Sequence, residues 1–127
     1  MPEISDAAIL AALGRRLNNA VAKQTVAASN LANLDTPGYR TRGVSFDDAL
    51  DSELGSVRRT NASHLAASPG DGEPVDVTGL ASRRDGNNVQ LDRELLALSR
   101  AGGEFSRAQT ALTAKFRLVR YAINEGR

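Results

Sequence analysis

Ala27-Ala28-Ser29-Asn30-Leu31-Ala32-Asn33-Leu34-Asp35-Thr36-Pro37-Gly38-Tyr39-Arg40 is where a long, apolar-seamed helix has to stop. Asn30 and Asn33 stand three apart near the helix end, where side-chain amides cap free backbone groups or bond a neighbour. Pro37 disfavours helical geometry at Thr36, and Gly38 lets the chain reverse without steric cost. Tyr39 then offers an apolar ring with a polar tip, a side chain suited to an interface.

On the N-terminal side of this turn, residues 7–34 carry a heptad-like seam of Leu10, Leu13, Leu17, Ala20, Gln24, Ala27, Leu31 and Leu34. A second seam closes the chain: Leu91, Leu95, Leu98, Gly102, Phe105, Gln109, Leu112, Phe116, Val119 and Ile123. Gly102-Gly103 is expected to weaken that helix, at about 1 kcal/mol per glycine relative to alanine. Between the seams lies a polar, glycine- and proline-punctuated segment. In it Ser45 and Asp48 suggest one short helix near 46–54, and Asp85-Gly86-Asn87 suggests a turn. The division that follows is 1–36 as N-terminal helix, 37–90 as irregular middle and 91–127 as C-terminal helix.

Length favours an elongated shape. At about 1.5 Å per residue the helices reach roughly 42 and 50 Å, whereas a compact globule of this size is about 36 Å across. The fold expected is mainly α, with the long terminal helices packed as a coiled-coil hairpin.

Composition removes several function classes. The net charge is +1, so no global field points to nucleic acid or an anionic membrane. Without cysteine there is no disulfide framework, thiolate metal site or Cys nucleophile. His64 is the single histidine, and neither G-x-S-x-G nor H-E-x-x-H occurs around it or elsewhere. Asp47, Asp48, Asp51 and Glu53 lack the calcium-loop spacing and read as helix-start charge. The pairs Arg15-Arg16, Arg58-Arg59 and Arg83-Arg84 are scattered and come with no nucleic-acid-binding motif, so they read as solvated faces or inter-subunit ion pairs. No segment is long and apolar enough to span a bilayer, and the acidic start Met1-Pro2-Glu3-Ile4-Ser5-Asp6 does not resemble a cleaved secretory signal. No cofactor, metal or catalytic constellation is implied.

The stretch Asn30 to Tyr39 closely resembles the signature of the axial protein family of the bacterial flagellum, which comprises rod, hook and related subunits. Val44-Ser45-Phe46-Asp47-Asp48-Ala49-Leu50, Arg59-Thr60-Asn61-Ala62-Ser63-His64-Leu65, Asp85 to Glu94 and Phe116 to Gly126 follow in the order and spacing of the family's proximal rod subunits. The short middle segment leaves little room for a folded outer domain. The resemblance implies a structural protein of the basal-body rod that assembles helically around the export channel and transmits torque. It implies no enzyme and no cofactor. Its partners would be copies of itself, other rod proteins, the rod–MS-ring junction protein, the export gate and the export apparatus, with export occurring without a cleaved signal peptide. Asn30, Leu31, Ala32, Asn33, Asp35, Thr36, Pro37, Gly38, Tyr39 and Phe46 would carry subunit interaction. Leu10, Leu13, Leu17, Leu31, Leu91, Leu95, Leu98, Phe105, Leu112, Phe116, Val119 and Ile123 would form the coiled-coil seam. Two rival readings of the same residues are another rod subunit of that family and a cytoplasmic coiled-coil adaptor that forms a discrete dimer.

Overall fold

Asp6 opens the first helix, α1 (Asp6–Ala32), with a carboxylate in the first turn, where the helix dipole favours negative charge. The structure, a computed structural model, describes residues 6–44 and 74–124. Along α1, Leu10, Leu13, Leu17, Gln24 and Leu31 are half-buried, and Ala20 and Ala27 are fully buried. It ends slightly before Leu34. There the chain tightens, and the Leu34 amide bonds the Leu31 carbonyl at 3.2 Å, an i to i−3 closure typical of a last turn.

The chain then runs into β1 (Arg42–Val44), which pairs antiparallel with β2 (Pro74–Asp76) in the register Arg42↔Asp76, Gly43↔Val75, Val44↔Pro74. The short helix expected near 46–54 lies outside the described residues. A turn over Arg83–Gly86, closed by a 3.0 Å bond from the Gly86 amide to the Arg83 carbonyl, leads to α2 (Leu91–Asn124).

α2 runs without interruption through Gly102 and Gly103 despite their low helix propensity. The reason is tertiary. Gly102 lies against α1, where an added Cβ would stand 3.4 Å from the Gln24 side-chain amide, and packing at such a face outweighs a propensity deficit of about 1 kcal/mol. The two helices form an antiparallel hairpin, with Asp6 paired to Lys115, Lys23 to Glu104 and Asn30 bonded to Glu94.

The core between them is narrow and built from small residues. Ala20 and Ala27 of α1 meet Ala101 and Ala108 of α2, all at most 5% exposed. Such short side chains let the helices approach closely, with Leu98, Phe105 and Leu112 closing the flank of the seam.

Candidate functional site

At the turn end of the hairpin, three asparagines hold two chain reversals and both helices together. Asn30 sits in the last full turn of α1 with its side chain fully buried. Its Nδ2 donates to the Arg42 carbonyl at 2.7 Å and to Glu94 Oε2 at 2.9 Å. Its Oδ1 accepts from the Arg42 amide at 3.0 Å and from the Tyr39 hydroxyl at 3.2 Å. All four hydrogen-bonding positions of the amide are therefore filled. One side chain thus ties the end of α1 to β1, to Tyr39 and to the first turn of α2.

Asn87 does the equivalent work for the reversal itself. Its Nδ2 faces the carbonyls of Asn33, Leu34 and Thr36 at 3.0, 3.0 and 2.9 Å. These lie just past the end of α1, where carbonyls lack intrahelical partners. The Asn87 Oδ1 accepts from the Val89 amide at 2.8 Å, and Arg83 donates to the carbonyls of Leu34 and Val89. Asn88 completes the set by accepting from the Thr41 amide at 2.6 Å. Gly38 and Gly86 both have positive φ, 72° and 83°, and the two turns touch at these glycines. A Cβ on Gly86 would stand 3.5 Å from the Gly38 Cα.

Within the interaction motif, Asn30 points inward, while Leu31, Asn33 and Tyr39 are half-buried. Asn33 caps locally, its Nδ2 donating to the Ser29 carbonyl at 2.8 Å. Ala32, Asp35, Thr36, Pro37 and Gly38 face outward, and Phe46 lies outside the described residues. The polar atoms of Asn30 are thus spent within the chain, and the motif's outward surface is the Asp35–Gly38 crest. Sequence reasoning did not assign Asn87, Asn88, Arg83 and Glu94 as partners of this turn. Adjacent asparagines after a turn glycine are the available signal for the first two. A glutamate on an apolar stripe gives none.

The α2 seam is rotated from its sequence reading. Leu91 and Leu95 are 46% and 49% exposed, and the residues facing α1 are Glu94, Ala101 and Ala108. In this rotation Glu94 bonds Asn30, and the short alanines of α1 leave little depth for leucines. Leu98, Phe105 and Leu112 remain at the flank of the shared face. Phe116, Val119 and Ile123 continue that stripe in steps of four, three and four from Leu112. They are nevertheless 57%, 40% and 69% exposed. Beyond the Asp6–Lys115 pair, α2 extends to Asn124, roughly 13 Å past the described start of α1. The hairpin therefore has one end closed by polar bonds and one end with its apolar seam bare. Among the described residues there is no cluster of His, Cys, Asp and Glu able to hold a metal, and no helix long and apolar enough to cross a membrane.

Residues 10–40, which span most of α1 and the reversal after it, match the family of flagella basal body rod proteins. Over 116 residues the chain is 33% identical to the flagellar basal body rod protein FlgB of Bacillus subtilis, covering 80% of this chain and 90% of that protein. It is 34% identical over 90 residues to FlgB of Salmonella typhimurium, covering 61% and 65% of the two chains. It is 25% identical over 122 residues to FlgB of Escherichia coli, covering 87% and 88%.

Proposed function

Because the chain belongs to the FlgB family of flagellar basal body rod proteins, we propose that it works as a structural subunit of the proximal rod, joining its neighbours through the bare end of its helical hairpin. It assembles with other rod proteins. The observation that carries the joining mechanism is the run of Phe116, Val119 and Ile123, which continues the buried seam with nothing among the described residues over it. Covering a large apolar side chain contributes about 1.5–3 kcal/mol, so three such residues per subunit give a contact worth several kcal/mol, repeated along the array. Heterologous contacts of this kind extend into helical assemblies when the rotation between copies does not close a ring.

On this reading the rod carries torque through many shared seams, with no single strong bond. The outward crest Asp35–Gly38 is a second contact region, held in shape by Asn30 and Asn87. The finer partners are the rod–MS-ring junction protein at the rod base and the export gate and export apparatus, which deliver the subunit.

The experiment is a deletion strain complemented with the parent gene or with Phe116→Asp/Ile123→Asp, scored by swimming and by electron microscopy of basal bodies. Expected is loss of rods and motility in the deletion, restored by the parent and not by the variant. The purified variant should melt with the parent, since both side chains are exposed. Intact rods in the deletion strain would refute the subunit reading and favour a cytoplasmic adaptor. Rods built normally from the variant would refute the seam.

A further inference from the structure

One lateral face of the hairpin is lined by arginines that the fold itself does not use. Arg93, Arg100 and Arg107 follow one another seven residues apart on α2, a column of cations at intervals of about 10.5 Å. Arg42 from β1 joins this face at one end and Arg16 from α1 at the other. Among the described residues no carboxylate pairs with any of these five guanidinium groups. Arginine is costly to leave aligned in this way, because like charges on one face repel, and spaced guanidinium groups suit a matching row of carboxylates.

The face is also concave. Two grooves of about 400 and 440 Å³ lie along it between the helices, separated by the Lys23–Glu104 ion pair that bridges α1 to α2 and forms part of the wall of both. Apolar side chains contribute to both linings, Val26, Ala27 and Ala97 in the first beside the Glu94 carboxylate that Asn30 holds, and Leu13, Ala108 and Ala111 in the second beside Asn19. The half-exposed Leu96 stands at the rim of the first groove. A partly apolar trough edged by cations at two-turn intervals suits an amphipathic helix with acidic residues at heptad spacing.

We propose that this arginine-edged groove seats an acidic amphipathic helix of a neighbouring rod subunit. The proposal rests on the rod-subunit reading and adds a lateral contact, chemically distinct from the apolar end contact. Charge complementarity selects the partner and fixes its register, while the apolar side chains of the lining contribute burial. An isolated phosphate or a flat anionic membrane would match the charge and leave the trough between the arginines unfilled.

The test uses the full chain. Arg93→Glu/Arg100→Glu/Arg107→Glu should melt within about 3 °C of the parent, since all three side chains are exposed and changes at such sites move stability little. If the triple variant melts early, Arg100→Glu alone serves for the same comparison. In a strain carrying only the charge-reversed protein, rods should be lost and swimming reduced at least tenfold. The matching Arg→Lys variant should retain both in large part. A photo-cross-linking residue at Leu96 should join the chain, in isolated basal bodies, to a carboxylate-bearing helical peptide of another subunit. The proposal is overturned by normal rods in the charge-reversed strain. It is equally overturned by a Leu96 cross-link to lipid, to nucleic acid or to the chain's own acidic stretch Asp47–Glu53. Each of these failures is separate from intact rods in the deletion strain, which would refute the subunit reading itself.

Discussion

Asn87 shows how much one side chain can hold. Its side-chain amide faces three carbonyl groups of the reversal, those of Asn33, Leu34 and Thr36, from a fully buried position. Asn87→Ala should lower stability by about 2 kcal/mol, the cost of leaving the buried Val89 amide without its acceptor, and lower Tm by several degrees in a circular-dichroism melt. Thr41 presents the opposite case. Its backbone is fully engaged, the amide with Asn88 and the carbonyl with Val77, yet its Oγ1 is buried with no partner. Thr41→Val keeps the shape and removes the unsatisfied hydroxyl, so it should raise stability by up to about 1 kcal/mol, read as a higher urea midpoint at unchanged slope. At this scale the sequence was partly legible. The stop at Pro37 and Gly38 and the local cap by Asn33 follow from short-range rules. The bonds from Asn30 to Glu94 and from Asn87 to Leu34 join residues 64 and 53 positions apart, and no local pattern announces them.

Each helix is a seam whose depth is set by its smallest residues. α1 was partly readable: its apolar stripe is half-buried or buried, while the polar Asn30 is buried and Val21 exposed. α2 was not, because its largest side chains are not the ones α1 covers. The leucines at 91 and 95 dominate the apolar pattern, while close approach to Ala20 and Ala27 requires Ala101 and Ala108 at the centre. Ala101→Leu tests that account: an added isobutyl group at a site 1% exposed should cost about 1–3 kcal/mol through overpacking. Leu95→Ala, at a half-exposed site, should cost much less. Paired melts of the two variants would give the opposite order if the leucine seam faced α1.

For the whole molecule, stability is expected to fall along the hairpin from the polar lock to the bare end. Asn30, Asn87 and Asn88 lie at the turn end and the alanine core runs from there to mid-hairpin, whereas α2 beyond Lys115 has no described neighbour. Hydrogen exchange followed by mass spectrometry should show the amides of 20–32 and 91–108 exchanging at least tenfold more slowly than those of 114–124 in the free chain. In assembled rods the difference should shrink, because the seam at 116–123 is then covered. Equal protection along α2 in the free chain would contradict this picture.

The closed turn at one end and the uncovered seam at the other also make the subunit a vector. On the proposed heterologous contact, turning one copy end for end would set the Asp35–Gly38 crest where the apolar stripe is needed, so copies joined in that way point the same way. An array built from such units has a leading face and a trailing face from its first member onward. On that contact, the polarity of the array follows from the polarity of the subunit.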